Sequence, residues 1–149
     1  MSLETLFALS NLTIPFWLAM ILLGWWKPVE RIMRSPWVAI VPAIIYVALV
    51  IPNLPQVLVG VANPSLAGVA QLLGTEYGAA VAWAHFLAFD LLVGRWAYLD
   101  SRARGIHWLI MAPVLFFTLM LGPVGYVAYL IIRSIRAFTQ GRALDAVVD

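Results

Sequence analysis

An all-α integral membrane bundle is the fold this sequence predicts, and composition, hydropathy and patterning all point to it. Apolar residues (A, V, I, L, M, F, W, Y, C) make up 64% of the 149 residues and charged ones 11%. A soluble domain runs to roughly 45–50% and about 25%. Mean hydropathy is +0.96. The apolar residues gather into long runs separated by short polar connectors, and about 20 of them make one spanning helix. These figures exclude a water-soluble globular enzyme and a disordered chain. The formal charge of +2 and pI of 9.3 do not indicate nucleic acid, because Lys and Arg are scattered and form no phosphate-binding stripe. With no cysteine, disulfides, thiolate metal sites and cysteine nucleophiles are ruled out.

The length predicts a single domain over residues 1–149 with four spans, at about 6–26, 37–60, 77–99 and 108–132, and a tail over 133–149. The first span is interrupted only by Ser10, Asn11 and Thr13 among polar residues. It is too long, and too poor in basic residues before it, for a cleaved signal peptide. The second apolar run, Trp37 to Ile51, rises only about 22 Å at 1.5 Å per residue. It must continue through Pro52 and Pro55 toward Gly60 to cross a core of roughly 30 Å. Those prolines free backbone carbonyls, which at membrane depth are tolerated only against protein or a wet cavity. The break is either functional or the untidy end of a span. Asn63-Pro64 reads as an N-cap followed by proline at the first helical position. Leu66, Val69, Ala70 and Leu73 then recur with helical spacing until Gly74. That pattern predicts a short interfacial helix between the second and third spans.

Lys27, Arg31, Arg34, Arg102 and Arg104 occupy two connectors, whereas 52–76 holds no Lys or Arg. The asymmetry places connectors 27–36 and 100–107 in the cytoplasm. Trp25, Trp26, Trp37, Trp96, Tyr98 and Trp108 flank them as an interfacial belt. Arg133, Arg136 and Arg142 dissent, because four spans put them on the opposite side. A re-entrant turn at Gly122-Pro123 is the alternative that returns the tail to the basic side.

The third span carries three ionisable residues, His85, Asp90 and Arg95. A charge at the centre of an inserted helix costs about 2.5–3.5 kcal/mol, so its default reading is functional. Adjacent members lie about 7.5 Å apart along the axis and about 140° apart around it. They radiate rather than share a face, and partners for Asp90 are expected on other spans: Ser10, Asn11, Thr13, Asn53, Gln56 or Thr118. Snorkelling of Arg95, a hydrogen-bonded neutral His85 and a packing clamp at Asp90 are the structural alternatives. His107 reads as an interfacial residue. No metal-ligand spacing, serine elbow, phosphate loop or dinucleotide fingerprint is present, so no metal or cofactor is expected.

The run Trp83-Ala84-His85-Phe86-Leu87-Ala88-Phe89-Asp90-Leu91-Leu92-Val93-Gly94-Arg95-Trp96-Ala97-Tyr98-Leu99-Asp100 resembles the core motif of the abscisic-acid-deficient-four-like family. These are small membrane proteins associated with neoxanthin synthase. Gly122-Pro123-Val124-Gly125-Tyr126-Val127-Ala128-Tyr129-Leu130, with Arg133, is similar to that family's last-span signature. The resemblance implies a membrane enzyme of carotenoid modification, an isomerase of an epoxy- or hydroxy-carotenoid. The plant conversion it implies takes epoxy violaxanthin to allenic neoxanthin without net redox change. One group protonates or polarises the epoxide oxygen, and another removes a proton from the adjacent polyene carbon. His85 and Asp90 are the expected acid–base pair, and Arg95 is expected to polarise oxygen or hold Asp90. Asn11, Asn53, Trp83 and Trp96 are the expected substrate contacts. The alternative is a non-catalytic pigment- or lipid-binding subunit. Expected partners are membrane lipid, a carotenoid or other polyprenoid, and a second copy or a larger membrane complex. Met1 precedes the first span closely, so the expected location is a bacterial inner membrane or a photosynthetic membrane.

Overall fold

The computed structural model describes residues 1–148, and the side chains of residues 1–139. All regular structure among them is helical. The elements are α1 (Leu3–Ser10), α2 (Ile14–Leu22), α3 (Lys27–Met33), α4 (Ile40–Val50), α5 (Leu54–Ala62), α6 (Leu66–Leu73), α7 (Glu76–Ala103), α8 (Trp108–Leu121) and α9 (Pro123–Val148). Tight 3-10 turns cover Asn11–Thr13, Pro36–Ala39 and Ile51–Asn53. Three segments are long and apolar enough to cross a membrane: Leu3–Leu22, Pro36–Ala62 and Glu76–Ala103. The second and third extend the expected runs at both ends, whereas the first begins earlier, at Leu3, and ends at Leu22, short of the expected residue 26, where the chain turns before α3. Contacts divide the chain into two compact units, Met1–Ile14 with Trp37–Phe89, and Pro15–Pro36 with residues from Asp90 onward.

In the first unit, Ile45 and Leu49 of α4 pack against Ala80 and Ala84 of α7, with Leu6, Leu9 and Val41 around them. Lipid removes the hydrophobic drive between helices, so close packing through small residues such as the two alanines does the holding. The proline break lies inside a continuous segment, since α5 follows the 3-10 turn directly. Pro52 offers no N–H to the Ala48 carbonyl, and Pro55 none to that of Ile51. The Tyr77 hydroxyl donates to the Leu49 carbonyl and accepts from Asn53 Nδ2 at 3.1 Å, bracing the bend from α7. The helix α6 forms where expected, but its cap is Ser65, whose hydroxyl accepts from Gly68 N at 3.1 Å. Ser65 is extended, so Pro64 precedes the cap instead of following it.

In the second unit, Trp17, Met20, Met33, Leu91, Tyr98, Met111, Leu115 and Tyr129 are buried. The Trp17 ring lies on Gly94, where any side chain would collide with it. Tyr98 donates to the Gly24 carbonyl at 3.0 Å, and Trp25 packs on Trp108 with ring centroids 4.5 Å apart. Glu30 of α3 binds Arg34 at 2.8 Å and Arg102 at 3.3 Å. The hydrogen bond from Arg34, with help from Arg102 and against the effect of burial, holds the Glu30 carboxyl below the ordinary glutamate range. The resulting stability is present above the unfolded value of about 4.3. It disappears as pH falls through the lowered folded value. Partly exposed pairs contribute about 1 kcal/mol or less. Thermal unfolding of wild type and Glu30→Gln should therefore differ slightly near neutrality and converge as pH falls below the ordinary glutamate range. A gap that persists in acid would assign the effect to packing.

In place of one span over 108–132, the structure has α8 and α9 packed on each other as a hairpin. Gly122 has φ +30° and ψ −84°, a left-handed backbone that favours glycine. Pro123 then opens α9 without an N–H that could extend α8. After the reversal Gly125 faces Thr118 so closely that a Cβ would meet the Thr118 backbone N and Cα. The return strand of the hairpin carries Tyr129, Arg133 and Arg136 back to the end of α7. Tyr129 and Arg133 reach the Asp100 carboxylate, and Arg136 Nε donates to the Arg104 carbonyl at 3.3 Å. The dissenting arginines of the tail thus join the basic end of this unit. The side chain of Arg142 lies outside the described residues.

Candidate functional site

The helix α7 carries all three ionisable residues of the expected site. Its start is fixed by Thr75, whose hydroxyl accepts from Gly78 N at 3.0 Å, with Glu76 in the favourable first turn. Its end is a Schellman turn, with Gly105 at φ +64°, Gly105 N bonded to the Arg102 carbonyl and Ile106 N to that of Ser101. Between these caps the division of units falls between Phe89 and Asp90. His85 belongs to the first unit, Asp90 and Arg95 to the second.

In the first unit His85 is exposed on an apolar, aromatic face. Its ring stacks on Phe89, one turn on, at 4.7 Å and 27°. Tyr46 of α4 lies 5.4 Å away between ring centroids, and Phe86 6.2 Å away. Phe86 and Phe89 are themselves more than half exposed, at 54% and 56%. This surface therefore presents an imidazole among exposed rings. Nearby in the same unit, Trp83 Nε1 donates to Asn11 Oδ1 at 3.1 Å, and Phe7 packs on Trp83 at 5.6 Å. Asn11 in turn donates to the Phe7 carbonyl. Asn11 and Trp83 are thus brought together, whereas Asn53 works at the proline break with Tyr77.

In the second unit the Asp90 carboxylate lies over the hairpin turn. A Cβ on Gly122 would come within 2.6 Å of Asp90 Oδ1 and 3.3 Å of Oδ2. That position sits at the N-terminal end of α9, where the helix dipole favours a negative group. The Arg95 guanidinium is engaged at the end of α3. Its Nε donates to the Met33 carbonyl and its Nη2 to the Arg34 carbonyl at 2.7 Å, closing the C-terminal end of α3. A cation there complements the dipole and satisfies carbonyls that the helix leaves open. Trp96, in the second unit, packs against Tyr129 at 5.3 Å and Tyr126 at 6.0 Å. Ser10, Thr13 and Thr118 each donate to carbonyls of their own helical segments.

Asp100 and Arg104 are an i,i+4 pair by spacing on α7, and what sequence reasoning missed is the two members that α9 adds to it. Asp100 accepts from Arg104 at 2.7 Å, from Arg133 at 2.9 Å and from the Tyr129 hydroxyl. The signal is the spacing of Tyr129 and Arg133, which puts both on one face of α9. Recognising it requires the reversal at Gly122. Among the described residues no group of three or more His, Asp or Glu is placed to hold a metal ion.

Three membrane-length apolar helices, a helical hairpin and polar groups set into apolar helices define a small integral-membrane-type helical protein. The chain belongs to the ABA4-like family: the family model described as ABA DEFICIENT 4-like matches residues 5–129, which contain both sequence motifs. No curated protein and no solved structure matches it.

Proposed function

We propose that the protein is a membrane enzyme of carotenoid modification, isomerising an epoxy- or hydroxy-carotenoid by proton transfer. Membership of the ABA4-like family supports the substrate class. The observation that carries the chemistry is His85, an imidazole exposed among Tyr46, Phe86 and Phe89 on an apolar face. A polyene dissolved in the bilayer reaches such a face without crossing water, and its conjugated chain packs on rings. His85 removes the proton from the polyene carbon beside the epoxide. The C–O bond breaks as the electron pair moves through the new allene, and the alkoxide takes up a proton. Formula and oxidation state are unchanged. The basic end formed by Arg34, Arg102, Arg104, Arg133 and Arg136 is cytoplasmic on this reading. Expression in a host that accumulates epoxy-carotenoid tests the function. A new pigment of identical mass and altered absorption is expected, and an unchanged pigment profile overturns it.

A second reading is favoured by the contacts of Asp90 and Arg95, both set against backbone at helix ends. Here the protein is a pigment- or lipid-binding subunit and these residues are structural. Asp90→Asn separates the two roles. If the carboxylate only holds the hairpin, unfolding in detergent shifts by about 1–2 kcal/mol while pigment conversion per folded protein is unchanged. Loss of conversion at full stability would return Asp90 to the proton-transfer chemistry.

A further inference from the structure

The bend at Pro52 and Pro55 opens a cavity of about 500 Å³ between α5, α6 and the start of α7. That volume falls within the roughly 300–1,000 Å³ of small-molecule sites. Its wall is mainly apolar, with Val57, Val61 and Leu72 among the lining residues. Its polar side chains are all uncharged: Asn53, Gln56, Asn63, Ser65 and Tyr77. The surrounding sequence from Ile51 to Thr75 holds no Asp, Glu, Lys or Arg. An ionic headgroup entering here would lose water without gaining a counter-charge. A hydroxyl or keto group on an alicyclic ring would lose little, because amides both donate and accept.

Three of these polar groups already serve the fold. Tyr77 and Asn53 brace the proline break, and Ser65 caps α6. Gln56 and Asn63 flank the same opening from α5 and its C-cap. We infer that this cavity binds the uncharged, oxygenated end ring of the carotenoid, with the Gln56 and Asn63 amides recognising the ring oxygen. The proline break then has a purpose beyond bending the helix, since it sets two amides at the edge of an apolar chamber. The site rests on the carotenoid reading above only for the identity of the ring; the preference for a neutral oxygen follows from the lining itself.

The test uses the full chain purified in detergent and two probes, zeaxanthin, which has a hydroxyl on each end ring, and β-carotene, the same skeleton without them. Pigment that co-elutes with protein is measured by absorbance. Zeaxanthin should be retained roughly tenfold more than β-carotene, the ratio of one well-formed hydrogen bond. Gln56→Leu with Asn63→Leu should bring zeaxanthin down to the β-carotene level. The single Gln56→Leu change, on an exposed position, should act in the same direction if the double variant does not fold. Equal retention of the two pigments, or retention indifferent to both variants, overturns the site. Conversion in the pigment host, measured beside retention for the same variants, keeps binding and chemistry apart. Variant-sensitive zeaxanthin retention with no conversion in the pigment host supports the cavity and sinks the enzyme. Conversion with retention insensitive to Gln56 and Asn63 does the reverse.

Discussion

Replacing Gly125 by leucine is expected to force α8 and α9 apart and to lower stability in detergent by about 3 kcal/mol, at the upper end of overpacking effects. The magnitude follows from what the new side chain meets. A Cβ at Gly125 collides with the Thr118 backbone N and Cα and with Thr118 Oγ1, and only the last of these belongs to a side chain. Thr118 is buried, and its hydroxyl is fixed by a 2.8 Å bond to the Val114 carbonyl. No rotamer change relieves the clash, so the helices must separate. Separation withdraws Tyr129 and Arg133 from Asp100, because both lie on α9 beyond the substituted position. Gly125→Ala should act in the same direction with a smaller effect, about 1–2 kcal/mol. The control is Gly60→Ala in α5, where a Cβ meets nothing within 4 Å. There the change should be neutral or stabilising by up to about 1 kcal/mol, as helix propensity requires. Thermal unfolding of the three variants side by side decides the matter. A Gly125→Leu protein that unfolds at the wild-type temperature would remove the close approach of α8 and α9.

The contrast between the spans and the hairpin shows what a sequence of this kind makes legible. The first three spans are readable because run length and apolar content map directly onto helices that can cross a bilayer. The family is readable because its motif sits on one uninterrupted helix. The segment from Trp108 to Ile132 is apolar on both sides of Gly122, and hydropathy carries no direction. A straight span and a hairpin therefore have the same profile. Gly122-Pro123 and the misplaced charges of Arg133 and Arg136 were the two signals, and the left-handed Gly122 unites them. The same reversal places Asp90 over a helix end, a contact no spacing within α7 encodes. Arg95 was legible as a residue with a long reach. Its target was not, because carbonyls at the end of α3 leave no mark in side-chain identity.

His85→Phe is expected to reduce carotenoid conversion by about 10²–10⁴-fold, the usual contribution of a positioned acid or base, while leaving the fold intact. Phenylalanine keeps a ring for Phe89 to stack on and for Tyr46 to approach, so the packing of α7 on α4 survives. What disappears is the imidazole, whose ring neighbours among the described residues are Tyr46, Phe86 and Phe89. His85→Ala removes the ring as well, and should add a loss of pigment affinity to the loss of rate. The difference between the two variants therefore separates proton transfer from polyene packing. Pigment profiles measured over time, normalised to folded protein, give the rates. Because His85 is exposed, neither change leaves a buried cavity or an unpaired core group, and unfolding temperatures should match wild type. Full conversion by His85→Phe would show that the imidazole only packs. The aromatic face would then be a pigment-binding surface, and proton transfer would have to be sought elsewhere in the chain.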